Sequence, residues 1–351
     1  MTPVRPQRGF TLVELMVAIT IGLLLLAGLS TLFAGNNHAQ MEVDRANRQI
    51  ENGRYAMQLI SSDLRNAGFY GEFDPSVLPM PAFVPDPCST DIALIHDAIA
   101  LHVQGYDNTL PPGCLTDVRA DTDILVVRHT ATCVADAADC EAAAEGGPFL
   151  QASLCNNQFE LGSGVVNNYY QVSTSATGMT LHKRDCGVAN GSGTPAVVRR
   201  LLTHIYFIAN NSVGNDGIPT LKRAEIVSKG NAMTVNIVPL AEGIENLQLE
   251  YGLDTDGDGV ANQFTTVPGS AGGCAKVDCT NQNWNNVVSV KLHVLARTLT
   301  PSMGYKDTKT YVMGLNAGGQ PNSIAAANDQ YKRHVFTALV GLPNPAGRKN
   351  S

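Results

Sequence analysis

The chain has 351 residues, a net charge of -7 at pH 7 and 44% hydrophobic residues. An acidic balance whose one notable basic cluster is Arg5 and Arg8 argues against a nucleic-acid partner, which needs a basic surface patch. The length is enough for a large buried core in one domain or two closely packed ones.

In chain order, Arg5 and Arg8 precede Gly9, and Glu14 is then the only charge before His38. Leu15 to Ala34 can form a helix of roughly 30 Å at about 1.5 Å per residue, the thickness of a bilayer core. A single membrane span with a cytoplasmic amino terminus is predicted, since the basic residues lie before it. The small residue stands ahead of the apolar run, the reverse of a secretory signal, so the apolar helix is expected to be retained. Within that run a carboxylate costs about 2.5 to 3.5 kcal/mol at a helix centre and less near an end, so Glu14 calls for a partner.

The stretch Gly9-Phe10-Thr11-Leu12-Val13-Glu14 resembles the class III signal of type IV pilins and pseudopilins. That resemblance implies cleavage between Gly9 and Phe10 by a prepilin peptidase and methylation of the new amino terminus at Phe10. It also implies an assembly role for Glu14, paired with the amino terminus of Phe10 in its own or a neighbouring subunit.

No proline occurs between Pro6 and Pro75. Over that gap Val43, Ala46, Ile50, Gly53, Met57, Ile60, Leu64 and Ala67 recur at spacings of three and four, while Asp63 and seven other charged residues fall on the remaining faces. One helix from Phe10 to Ala67 is predicted, transmembrane over 10–34 and amphipathic beyond, ending at the glycine cap Gly68. Residues 1–9 form the leader, and 68–351 an extracytoplasmic head.

Eight cysteines, Cys88, Cys114, Cys133, Cys140, Cys155, Cys186, Cys274 and Cys279, all follow the span. An even number on the oxidising side reads as disulfides, expected to pair in sequence order. A zinc site made from them would lack any C-x-x-C pair.

Pro75 to Pro87 reads as an irregular connection. Strands are predicted at Ile99 to Val103, Ile124 to Arg128 and Tyr169 to Val172, with a loop excursion over Cys133 to Gly147. Leu201 to Ala209 and Leu221 to Ile226 form a hairpin about a turn rich in Asn and Gly. Ile244 to Tyr251, Val288 to Ala296 and Val335 to Leu342 alternate or run apolar, and Pro343 to Ser351 reads as a polar tail. The fold class is α+β: a long amino-terminal helix as the spine of a β-rich, pilin-like head of antiparallel sheets.

Asp254, Asp256 and Asp258 stand at alternate positions, with Val260 and Asn262 following, and resemble the start of an EF-hand calcium loop. Thr265 stands where such a loop has its bidentate glutamate, and the flanks are strand-like. The expectation is a Ca2+ turn without the helical pair, the alternative an Asp/Gly-rich β-turn. His96, His102, His129, His182, His204, His293 and His334 are scattered without a catalytic motif, so each reads as a surface or hydrogen-bonded histidine and no enzyme is expected. Trp284 reads as a half-buried anchor.

The segments Asp63 to Tyr70, Tyr251 to Asp258 and Tyr331 to Phe336 are similar to PilW-type minor pilins. This implies a low-abundance subunit that primes type IV pilus assembly at the filament tip and supports twitching motility. Its partners would be other minor pilins, the major pilin, the prepilin peptidase and the inner membrane, with any host or surface receptor unidentified. The head would face the periplasm before assembly and lie outside the cell afterwards. A pseudopilin of a type II secretion tip and a membrane-anchored adhesive or sugar-binding head are the alternatives.

Overall fold

A computed structural model describes residues 9–109, 111–138, 140, 146–155, 160, 169–187, 192–229 and 232–349. Two compact units divide the chain, Met1–Arg48 and Gln49–Ser351. Helix α1 (Leu12–Asn66) begins in the first and ends in the second. It stops where Gly68 turns left-handed at φ +72°, a conformation glycine takes without a Cβ clash.

The first unit is apolar and solvent-facing, with Leu15, Val17, Ile19, Leu24, Leu29 and Phe33 all exposed. Within the second unit the buried residues of α1 are Gln49, Gly53, Ala56, Met57, Ile60, Asp63 and Leu64. Four placements differ from the sequence pattern. Val43 and Ile50 are exposed, while Gln49 and Asp63 are buried because each finds polar partners there, Gln49 the Ala296 carbonyl and Asp63 two histidines.

After a 3-10 turn at Pro75–Val77, the short helix α2 (Ile92–Asp97) is capped by Asp91, whose carboxylate accepts from the Ala93 amide at 2.9 Å. Ile99 belongs to a 3-10 turn (Ala98–Ala100) and not to the predicted strand, since the capped helix runs straight into it. A seven-stranded sheet then forms from β1 (Val103–Tyr106), β2 (Ile124–Thr130), β3 (Phe149–Ala152), β4 (Tyr170–Ser173), β5 (Val198–Ala209), β6 (Thr220–Lys229) and β7 (Ala232–Glu242). The long β5 is its centre, pairing with β2, β3 and β6, always antiparallel. β5 and β6 make the expected hairpin. The sequence pattern does not mark β7, because Pro239 interrupts it; the strand is an edge and Pro239 stands at a register shift, the two places where a sheet tolerates proline.

The second sheet has the order β13-β10-β8-β9, from β8 (Ile244–Leu253), β9 (Gln263–Thr265), β10 (Val287–Arg297) and β13 (Arg333–Gly341). A hairpin of β11 (Tyr311–Leu315) and β12 (Pro321–Ile324) lies over Glu250 and His293, where only glycine fits at position 314: a Cβ would come within 2.5 Å of Glu250 Oε1. Between β9 and β10, α3 (Val277–Asn285) carries Trp284, which is buried and packs edge-on to Tyr251 with centroids 4.9 Å apart. The polar tail is largely a helix, α4 (Pro343–Lys349), since proline is accepted in a first turn where the N–H has no helical partner.

Alternation explains the core. One face of β2 and β5 brings Leu125, Val127, Tyr206 and Ile208, and one face of β8 and β10 brings Leu247, Leu249, Tyr251, Val290, Leu292 and Val294, all in one cluster with Ala56, Met57, Ile60 and Leu64 of α1. The expected α+β class, a long helix with antiparallel sheets, is the class observed.

Candidate functional site

In the first unit, Thr11 and Glu14 form a capping box. The Thr11 amide and hydroxyl each donate to Glu14 Oε2 at 2.9 Å, and the Glu14 amide donates back to Thr11 Oγ1 at 3.3 Å. The signal was present in the sequence as Thr-x-x-Glu, yet the apolar reading of the segment passed over it. Glu14 therefore starts the helix as well as being its one charge before His38. Phe10 is almost fully exposed beside it, while Arg5 and Arg8 lie outside the described residues. Among those residues α1 is the one helix long and apolar enough to cross a membrane, with an 18-residue window of mean hydropathy 2.5.

In the second unit, Asp254, Asp256 and Asp258 bring carboxylate oxygens within 4.8 Å of one another. Asp254 is buried and accepts the Gly257 amide at 2.6 Å and the Gly259 amide at 2.9 Å, both from left-handed glycines. Burial alone would raise its pKa, but those amides outweigh it and hold the carboxyl below its usual range. Asp258 accepts the Val260 amide at 2.8 Å, and Asn262 joins the turn by donating to Asp256 at 3.1 Å and accepting from the Thr255 amide at 2.9 Å. The loop is held by its own hydrogen bonds, with Asp256 and Asp258 exposed.

Four disulfides follow sequence order: Cys88–Cys114, Cys133–Cys140, Cys155–Cys186 and Cys274–Cys279, with Cα separations of 5.6, 6.0, 5.6 and 5.9 Å. The loop from Cys133 to Gly147 lies partly outside the described residues.

Sequence order hid one cluster. Although the histidines are scattered along the chain, His129 of β2 and His204 of β5 face Asp63 of α1 on the same side of the sheet. His129 Nε2 lies 2.7 Å from Asp63 Oδ1 and His204 Nδ1 lies 2.9 Å from Oδ2, while Tyr206 donates its hydroxyl to Oδ2 at 3.0 Å. Burial opposes the charge on Asp63, but the two histidines outweigh it and hold the carboxyl far below its usual range. The His204 pKa is raised in turn: burial works against its charge, and Asp63 and then Glu225 prevail. The sequence signal would have been a carboxylate one turn from Ile60 on the apolar side of the spine.

A polar cleft of about 560 Å³ opens among Arg119, Asp121, Asn246, Gln248, Asn322 and Arg333. Its buried amides already bond one another, as Gln248 to Asn246 at 3.0 Å and Asn322 to Gln248 at 2.8 Å.

Comparison with known proteins bears on both units. The family described as Type IV Pilus-assembly protein W matches residues 205–344, from within β5 to the start of α4. The Prokaryotic N-terminal methylation motif matches residues 4–30. A type IV-like pilin from Thermus thermophilus is 17% identical, over 41% of this chain and 78% of its own, with a TM-score of 0.20, too low to carry an argument. No curated protein matches the chain. The two family matches, one on the apolar helix and one on the strands of the head, support a type IV pilus-assembly protein of the PilW type.

Proposed function

We propose that the chain is a minor pilin that helps to prime type IV pilus assembly and sits at the filament tip, after cleavage between Gly9 and Phe10 and methylation of Phe10. The observation behind this reading is the methylation motif over residues 4–30, set on an exposed apolar helix whose one early charge, Glu14, stands four residues after Phe10. The family suggests other pilins and a prepilin peptidase as partners, and the apolar helix fits membrane anchoring before assembly. Mass spectrometry of sheared filaments tests it: a low-abundance species beginning at methylated Phe10 is expected. Protein that stays wholly in the membrane fraction, or that keeps residues 1–9 in filaments, overturns it. Deletion of the protein should abolish twitching motility and spare exoprotein secretion; the reverse pattern would assign it to a secretion tip.

The acidic turn is proposed to take up Ca2+ through Asp254, Asp256, Asp258, the Val260 carbonyl and Asn262, since three carboxylates gathered within 4.8 Å repel one another unless a cation bridges them. Calcium should raise the melting temperature and lose that effect in Asp256→Asn. Identical melts in calcium and in chelator would remove the proposal.

A further inference from the structure

The Asp63 cluster has a proton-counting problem that points to a ligand. His129 Nδ1 faces the Thr130 carbonyl oxygen at 2.8 Å, and His204 Nε2 faces the Glu225 carboxylate at 3.8 Å. The Thr130 carbonyl is within hydrogen-bond range, whereas Glu225 is beyond it, so a neutral His204 can donate its Nδ1 proton to Asp63 at 2.9 Å. His129 differs: its Nδ1 and its Nε2, 2.7 Å from Asp63 Oδ1, both face acceptors. A neutral His129 therefore sets a lone pair against an acceptor on one side, and the cluster calls for an added positive charge there, as a proton or as a bound cation.

A proton would make a buried imidazolium with its ring centroid 5.7 Å from that of the other histidine, close to a Glu225 already paired with Arg200 and Arg223. One metal ion accepts the inner lone pair of each ring and leaves both rings neutral. The outer contacts also match those that orient metal-bound histidines, a backbone carbonyl for one ring and a carboxylate for the other. Two imidazole nitrogens and a carboxylate suit a metal of the zinc class, whereas calcium prefers oxygen throughout. The Tyr206 hydroxyl lies 3.0 Å from Asp63 Oδ2 and completes the polar surroundings of the carboxylate. Donor atoms around tetrahedral zinc lie about 3.3 Å apart for bonds of about 2.0 to 2.1 Å, so the rings need withdraw from the carboxylate by only about half an ångström.

We propose that Asp63, His129 and His204 form a structural site for a divalent metal of the zinc class, which fastens the end of α1 to β2 and β5. All three side chains are buried on three different elements, so the metal would be acquired as the head folds. The site is independent of the acidic turn and of the reading as a pilus subunit.

The test uses the full chain in detergent, purified through a tag without histidines. Metal analysis should find one zinc per chain. After chelation, cobalt(II) should restore one equivalent with visible absorption from a nitrogen and oxygen ligand set, and zinc should raise the melting temperature of the stripped protein. His129→Gln and His204→Gln should weaken cobalt binding by about tenfold or more. Asp256→Asn in the acidic turn should leave cobalt binding unchanged. Because the cobalt titration is made on the wild-type chain, a variant that fails to fold does not blunt it. The proposal is overturned if stripped and zinc-loaded protein melt alike and cobalt gives no bound spectrum. It is equally overturned if wild-type stability, insensitive to metal, falls as pH rises through the histidine range and His204→Gln abolishes that fall, since protons would then hold the cluster.

Discussion

At Gly53 the ring of Phe336 lies so near the helix that a Cβ would come within 2.2 Å of it. Alanine there gains up to about 1 kcal/mol of helix propensity, but overpacking costs about 1 to 3 kcal/mol. The clash should win, and Gly53→Ala is expected to lower the melting temperature of the head by several degrees in a thermal scan. An unchanged or raised value would show that Phe336 can swing aside. His102 gives a second test at the same scale. Burial pushes its imidazole down to about 4, against the pull of the Val287 carbonyl at 2.7 Å, with Arg348, Lys349 and Arg128 adding to the lowering. Its folded pKa lies below the unfolded value of about 6.5, so its contribution is complete above that value and is lost as pH falls from there toward 4. The loss is on the order of 3 kcal/mol for the full shift. Denaturant melts from pH 7.5 to 4.5 should show a shallower fall in His102→Gln, which keeps a donor for Val287, than in the wild type. Neither role was legible in the sequence. Gly53 appeared as one position of a stripe and His102 as one scattered histidine, because a close approach and a desolvated ring depend on residues far along the chain.

Among the elements, those with a clear period were legible, and the differences have local causes. α1 and the strands β2, β5, β8, β10 and β13 follow their apolar patterns to within a few residues. β7 was hidden by Pro239, α3 by its polar Thr-Asn-Gln-Asn sequence, and α4 by its two prolines. The disulfides can be ranked by the loops they close. Cys88–Cys114 spans 26 residues and Cys274–Cys279 only 5. In the chain-entropy account the longer loop is worth about 3 to 4 kcal/mol and the shorter about 2. The pair also packs beside Leu115 on the outer face of the first sheet, with Ile124, Val126 and Phe207. Replacing Cys88 and Cys114 together by alanine should therefore lower the denaturant midpoint more than replacing Cys274 and Cys279. The opposite order would mean that the start of α3, and not the sheet face, limits stability.

For the whole molecule the amino-terminal segment and the head do different work. The exposed apolar residues from Leu12 to Phe33 have no packing role within their own unit, as expected of a surface made for lipid or for other subunits. Glu14→Gln preserves an acceptor for the capping box with Thr11 and removes the charge. It should leave the head's melting temperature and the protein's membrane level unchanged while reducing its recovery in sheared filaments several-fold. Incorporation at the wild-type level would reduce Glu14 to a helix cap.

By itself the sequence determined the apolar helix, the methylation motif over residues 4–30, the amphipathic spine and the alternating strands of the carboxyl half. Each is a local signal, written in spacing and polarity over a few turns of chain. Tertiary structure alone decided that Asp63 turns inward, that His129 and His204 meet it, and that Gly53 and Gly314 admit close neighbours. Those outcomes depend on sheet register and on residues more than sixty positions apart, and no local pattern encodes a contact whose two sides are brought together only by folding.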